Sequence, residues 1–269
     1  MNSNKNIHKR PILISAVAAV CILVASSSGN AASTGGIPTQ QENAVLTNTL
    51  RGDSTSTNTQ RNTMSSKSGS TWHGAARAEW TQRWWRWWMS IPLGVGPSKD
   101  TTGVQCGINQ SGPVWFIGGP LGSDFVRSCT IPQGKAILSP IVDFINDYPC
   151  PAPPAFEPAP DQTLEDFLIA GVTPIIDSVT VHAAELDGRP LRELRITSSL
   201  FSFTGAIDLV SLDPCVTGSP QVGVSDGYFI FIEPLSVGQH TLHIHSELPG
   251  FGLPNNGSSE GTYILNITK

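Results

Sequence analysis

Thr241-Leu242-His243-Ile244-His245-Ser246-Glu247 alternates polar and apolar side chains through its centre. Successive side chains of a strand point to opposite faces of the sheet. Leu242 and Ile244 therefore share one face with His240, and His243, His245 and Glu247 share the other. Short apolar runs of the same character occur at 114–117, 125–130, 135–144, 178–183, 194–203, 228–232 and 262–268. The 26 Gly and 21 Pro residues fall largely between such runs, a punctuation that favours strands and turns over long helices. Asp187-Gly188 stands between two runs and signals a tight hairpin. About eight strands with this spacing predict an all-β fold, a β-sandwich or jelly-roll-like domain, with one or two short helices.

The helices are expected in two places. Thr163 followed by Asp166 reads as an N-cap with an acid three positions on, and Gly171 as the stop. The second expected helix runs through 75–89 and is rich in tryptophan. At 100° per residue, Trp80, Trp84, Trp87 and Trp88 fall within one arc, Trp85 lies just outside it, and Arg83 and Arg86 lie opposite. Such a stripe can cover a sheet, since clustered aromatics carry a large buried area. It can also serve as a platform for sugars or aromatic ligands, or lie in a membrane interface.

At the N-terminus, Lys5, Lys9 and Arg10 precede an apolar run from Ile12 to Ala25 and a small-residue stretch ending at Ala31. These are the parts of a secretory signal with cleavage after Ala31, and the run is shorter than the ~20 residues a spanning helix needs. No stable membrane span is expected after cleavage. Residues 1–31 are thus read as the signal, 32–70 as a disordered Ser/Thr/Asn-rich leader, and 71–269 as the β-domain. Removing the signal leaves 13 basic against 21 acidic residues, about −8 at pH 7. That charge argues against nucleic acid, which requires a basic footprint. Cys106, Cys129, Cys150 and Cys215 remain, without a Cys-x-x-Cys pair. An even number of cysteines in an exported chain reads as two disulfides rather than zinc. Three pairings are open; local loop closure favours Cys106 with Cys129, which leaves Cys150 for Cys215. The exported chain is expected to be periplasmic or secreted.

From Trp84 onward the order of motifs is specific. A Trp-rich run ends at Pro92, and Asp100-Thr101-Thr102-Gly103 precedes Cys106. Gly112-Pro113-Val114-Trp115-Phe116 follows, then Arg127-Ser128-Cys129-Thr130-Ile131-Pro132. Asp226-Gly227-Tyr228, Pro234-Leu235-Ser236 and Gly238-Gln239-His240-Thr241 come later. In these motifs the chain resembles a family of uncharacterised secreted bacterial proteins. The resemblance covers about three quarters of the chain and implies secretion and the domain boundary, without supplying a cofactor or a catalytic residue.

Three functional readings follow. The first is a binding or envelope-associated module, with carbohydrate or an envelope component as partner and Trp80, Trp84, Trp87 and Trp88 as contact residues. The second is a metal-dependent, cupin-like jelly-roll enzyme in which His243, His245 and Glu247 hold a divalent transition metal, since imidazoles two apart on a strand suit such ions. A structural or matrix protein without a small ligand is the third. No Gly-x-Ser-x-Gly elbow is present, and Ser123 is accounted for by a glycine-bounded turn. Asp143 and Asp147 flank a strand end, and no convergent polar set identifies a catalytic centre.

Overall fold

The computed structural model describes residues 71–119, 124–151 and 156–269. The expected signal and leader, Ser123 and the middle of the proline-rich run after Cys150 lie outside the described residues. In chain order the strands are β1 (Thr71–Trp72), β2 (Ala75–Ala76), β3 (Val114–Phe116), β4 (Phe125–Pro132), β5 (Ala136–Tyr148), β6 (Val181–Leu186), β7 (Arg189–Pro190), β8 (Leu194–Thr197), β9 (Phe201–Thr204), β10 (Pro220–Ile232), β11 (Gly238–Glu247) and β12 (Ser258–Thr268). The α-helices are α1 (Arg77–Met89) and α2 (Leu164–Asp177). The protein is all-β, with these two short helices. Among the described residues no helix is long and apolar enough to cross a membrane.

Two five-stranded sheets make the body, beside a small β1–β2 pair. One runs β3-β5-β10-β8, with β9 also on β10; the other runs β4-β12-β11-β6-β7. Alternation assigns the faces. In β11, Leu242 and Ile244 are buried while His243 and His245 keep partial exposure. With Tyr263, Leu265, Ile267, Ile131 and Cys129 they meet Ile137, Ile230 and Ile232 of the other sheet, a sandwich core between two inner faces. The β5–β10 sheet is apolar on its other side as well, where Val114, Phe116, Leu138 and Phe229 pack under α1. Residues buried on both faces explain why β5 reads as a nearly continuous apolar run.

Several boundaries differ from the expectations. α2 continues past Gly171 and through Pro174 to Asp177. A Cβ on Gly171 would lie 2.2 Å from Asn146 Nδ2, and this amide donates to Leu168 O at 3.0 Å. Gly171 is therefore a close-approach residue within the helix rather than its stop. Ser178 and Val179 close the end of α2 by donating to Ile175 O and Ile176 O, and β6 begins at Val181. The run 194–203 is two strands, β8 and β9, broken at 198–200. β10 starts eight residues before Tyr228, because Gln221, Gly223 and Ser225 disguise its pattern. At the Asp187-Gly188 turn both residues have positive φ (51° and 71°), as a two-residue hairpin of this type requires.

The disulfides pair Cys106 with Cys129 and Cys150 with Cys215, with Cα–Cα distances of 5.6 and 4.3 Å. The first ties the Asp100 loop to β4. Asp100 accepts from the backbone N–H groups of Thr102, Gly103 and Gln105, and these bonds hold its carboxyl below the usual range against the opposing effect of burial. Gly103 has φ +91°, and a Cβ there would lie 2.2 Å from Ser128 O. The Asp-Thr-Thr-Gly motif is thus a turn pressed onto β4.

Candidate functional site

β3 pairs with β5 only over Ala136–Leu138. Beyond that point β5 keeps β10 on one side and, among the described residues, has no strand on the other. The gap is a cavity of about 150 Å³. Trp84, Trp85 and Trp88 of α1 line it from one layer, Ile141 and Asp143 of β5 from the sheet, and Ile244 of β11 from the opposite layer. It therefore spans the junction of the two hydrophobic cores. The volume is about that of an engineered apolar cavity that admits benzene.

The aromatic wall is set by close backbone approaches. Trp84 Nε1 donates to Ile117 O at 2.9 Å. The Trp84 and Trp88 rings stack with centroids 6.4 Å apart, and Trp85 meets Trp84 edge-on at 5.2 Å. A Cβ on Gly118 would come within 2.9 Å of the Trp84 ring, and one on Gly119 within 2.6 Å of the Phe125 ring. Glycine at both positions lets the indoles and Phe125, which also lines the cavity, lie against the chain after β3.

Three residues of this apolar lining carry a buried polar atom without a hydrogen-bond partner. Asp143 keeps partial surface, but its Oδ2 is buried and without a hydrogen-bond partner. Desolvation raises its pKa well above the ordinary carboxylate value. It sits opposite Gly227, whose Cβ would lie 2.4 Å from that of Asp143; the glycine of Asp226-Gly227-Tyr228 makes room for this acid. Asp213 is 3% exposed. Its Oδ1 accepts from Cys215 N at 2.9 Å, while Oδ2 has no donor. The third group is the Trp85 indole N–H, also unpartnered on a side chain 7% exposed. Buried polar atoms normally find partners; these three belong to residues that line the cavity, but each exposes less than 1 Å² and so lies behind its accessible surface.

The residues singled out from sequence are placed differently from one another. Trp80, Trp84, Trp87 and Trp88 are all buried, at 3–7% exposure. This departs from a row of exposed stacking indoles, because the helix packs this face on the β5–β10 sheet. Trp84 and Trp88 line the cavity; Trp80 and Trp87 line a separate outer groove of about 380 Å³ with Arg83, Arg86 and Asn109. Arg83 covers the Trp80 ring at 4.4 Å, so that indole face is already occupied. His243, His245 and Glu247 share the outward face of β11, as the alternation implies. His245 approaches Glu247 at 3.6 Å and Glu260 at 4.0 Å, but His243 does not join them in a group of convergent donors. Among the described residues the one three-donor group with all donor atoms within 4.8 Å is Asp147, Asp213 and Cys215. The sulfur of Cys215 is bonded to Cys150, which leaves two carboxyls.

Asp143 and Asp213 escaped recognition as members of one cavity lining because tertiary packing assembles that lining. One signal was present: an acid inside the apolar run Ile141-Val142-Asp143-Phe144-Ile145, at a position where burial is expensive.

No family model matches the chain, and no curated protein matches it. Among solved structures, one described as "Solution Structure of Amebosin" aligns with 10% identity and a TM-score of 0.16, over 54% of this chain and 97% of that chain. A likeness of that size carries no argument about fold or function.

Proposed function

We propose that the protein is an exported binding module that takes a small, largely apolar ligand into the cavity between α1 and the two sheets. The apolar cavity walled by Trp84, Trp85 and Trp88 carries the reading, since small-molecule sites are concave and lined mainly by hydrophobic and aromatic side chains. Export is supported by the charged–apolar–small pattern of residues 1–31 and by the two disulfides, which suit an oxidising compartment. Trp84, Trp85 and Trp88 make the site self-reporting. Benzyl alcohol, a probe of matching size, should change tryptophan emission saturably, and Leu212→Phe, which extends a lining side chain into the space, should abolish the change without unfolding the protein. A linear, unsaturable response in the wild type would remove this function.

Carbohydrate contact is the second reading. The outer groove favours it, because Arg83, Arg86 and Asn109 offer hydrogen bonds beside the Trp87 edge. Saccharide binding lost on Asn109→Ala and retained in Leu212→Phe would move the site from the cavity to the groove.

A further inference from the structure

We infer that the Cys150–Cys215 bridge and a zinc ion are alternative occupants of one buried site. With the bridge reduced, Cys150, Cys215, Asp147 and Asp213 bind the ion; oxidation expels it. The inference goes beyond the cavity reading above and does not depend on it.

The donors are already assembled. Asp147, Asp213 and Cys215 each bring one ligand atom to within 4.8 Å of the other two, and the Cys150 sulfur is bonded to that of Cys215. All four residues are buried. Zinc bonds of about 2.0–2.3 Å set tetrahedral ligand atoms about 3.5 Å apart, so the group closes by roughly an ångström around the ion. Each carboxyl is oriented from behind. Asp213 Oδ1 accepts from Cys215 N at 2.9 Å. Asp147 Oδ2 accepts from Gln221 Nε2 at 3.2 Å, and the same nitrogen lies 2.7 Å from Cys215 O and 3.0 Å from Pro149 O. Outer hydrogen bonds of this kind hold metal ligands in position. The oxygen left over is Asp213 Oδ2, buried and without a donor on a residue 3% exposed. A cation beside it supplies the partner that the protein does not.

Two thiolates and two carboxylates make a zinc set, because thiolates select soft ions and four ligands fill a tetrahedron. Calcium takes about 6–8 oxygens, and two carboxyls fall short of that. The exchange balances through thiol–disulfide chemistry. A dithiol reductant attacks the bridge, its own sulfurs close to a disulfide, and Cys150 and Cys215 emerge as thiols. Zinc then displaces the two thiol protons, since the thiolate is the ligand. In the reverse direction an incoming disulfide is reduced to two thiols and takes up two protons. The Cys150 and Cys215 thiolates are oxidised to the bridge, and the ion is left with two carboxyls and departs. An oxidising compartment favours that direction.

The test measures zinc uptake by equilibrium dialysis at pH 7 on two forms of the mature protein. One is disulfide-bonded; the other is reduced with a dithiol that is then removed without oxygen. The reduced form should take up one equivalent at least a hundredfold more tightly than the oxidised form. The ion should also raise the melting temperature of the reduced form, as a ligand of the native state does. Asp147→Asn and Asp213→Asn should each weaken uptake at least tenfold, and Cys106→Ser/Cys129→Ser should leave it unchanged. X-ray absorption at the zinc edge of the reduced wild type should show two sulfurs and two oxygens, a readout that stands even if the variants fail to fold. Equal uptake by the two forms, none by the reduced form, or an unmoved melting temperature would overturn the assignment. So would a shell of four sulfurs, uptake that survives both aspartate substitutions, or uptake lost with Cys106 and Cys129.

Discussion

Asp147 and Asp213 place two buried carboxyls against each other behind the Cys150–Cys215 bridge. Burial raises both, and repulsion from Asp213 raises Asp147 further, to about 8. The sign of the consequence runs opposite to that of an ordinary salt-bridged aspartate. An unfolded chain releases these protons near pH 4, whereas the fold retains them. Between about pH 4 and pH 8 the native state binds more protons than the unfolded state, so stability falls as pH rises. Asp147→Asn keeps an acceptor for Gln221 and removes both the charge and the titration. Urea midpoints at pH 5, 6.5 and 8 should show the variant gaining on the wild type as pH rises, by a few kcal/mol at ~1.4 kcal/mol per unit of displaced pKa. Parallel curves would mean that water or relaxation already solvates the pair. His240 behaves in the usual sense. Its ring lies 2.7 Å from Asp187 Oδ2, which raises the imidazole and lowers the carboxyl. The clasp holds the hairpin end of β6 to β11 and fades as pH passes above the histidine range.

At the level of elements, α2 tests whether a glycine is a stop or a contact. Replacing a mid-helix glycine with alanine ordinarily stabilises by about 0.5–1 kcal/mol. Here the added methyl would meet Asn146 Nδ2, so Gly171→Ala should instead destabilise, by about 1–3 kcal/mol as overpacking does. Asn146→Ala should remove the collision, and a double-mutant cycle should then return a coupling of at least about 0.5 kcal/mol. Additive effects would show that Asn146 swings aside freely. The same geometry explains why Thr163 could be read from sequence and the C-terminus of α2 could not. The cap is local, with Thr163 Oγ1 accepting from Asp166 N at 3.1 Å. Gly171 carries its meaning through a strand 25 positions earlier. α1 shows the same division. Its arc of tryptophans was legible as one face, while the hydrogen bonds to Ile117 O and Ile108 O that anchor Trp84 and Trp87 depend on loops that fold onto it.

For the molecule as a whole, the disulfides close loops of different length, 23 and 65 residues apart in sequence. If each acts mainly by restricting the unfolded chain, their contributions are about 3 and about 4 kcal/mol respectively. Cys150→Ala/Cys215→Ala should therefore lower the urea unfolding free energy by more than Cys106→Ala/Cys129→Ala, by about 1 kcal/mol. The reverse order would place the larger contribution in native contacts of the Asp100 turn, which the shorter bridge presses onto β4. Sequence by itself determined what depends on near neighbours: the alternation that puts Leu242 and Ile244 inward, the Asp-Gly turn, the tryptophan face and the short cysteine loop. Period and turn chemistry act over a few residues, so they survive in a linear reading. The cavity was decided only by tertiary structure. It lies where β3 ends after Phe116 while β5 continues to Tyr148, and its lining draws on residues as far apart in sequence as Trp84 and Ser259.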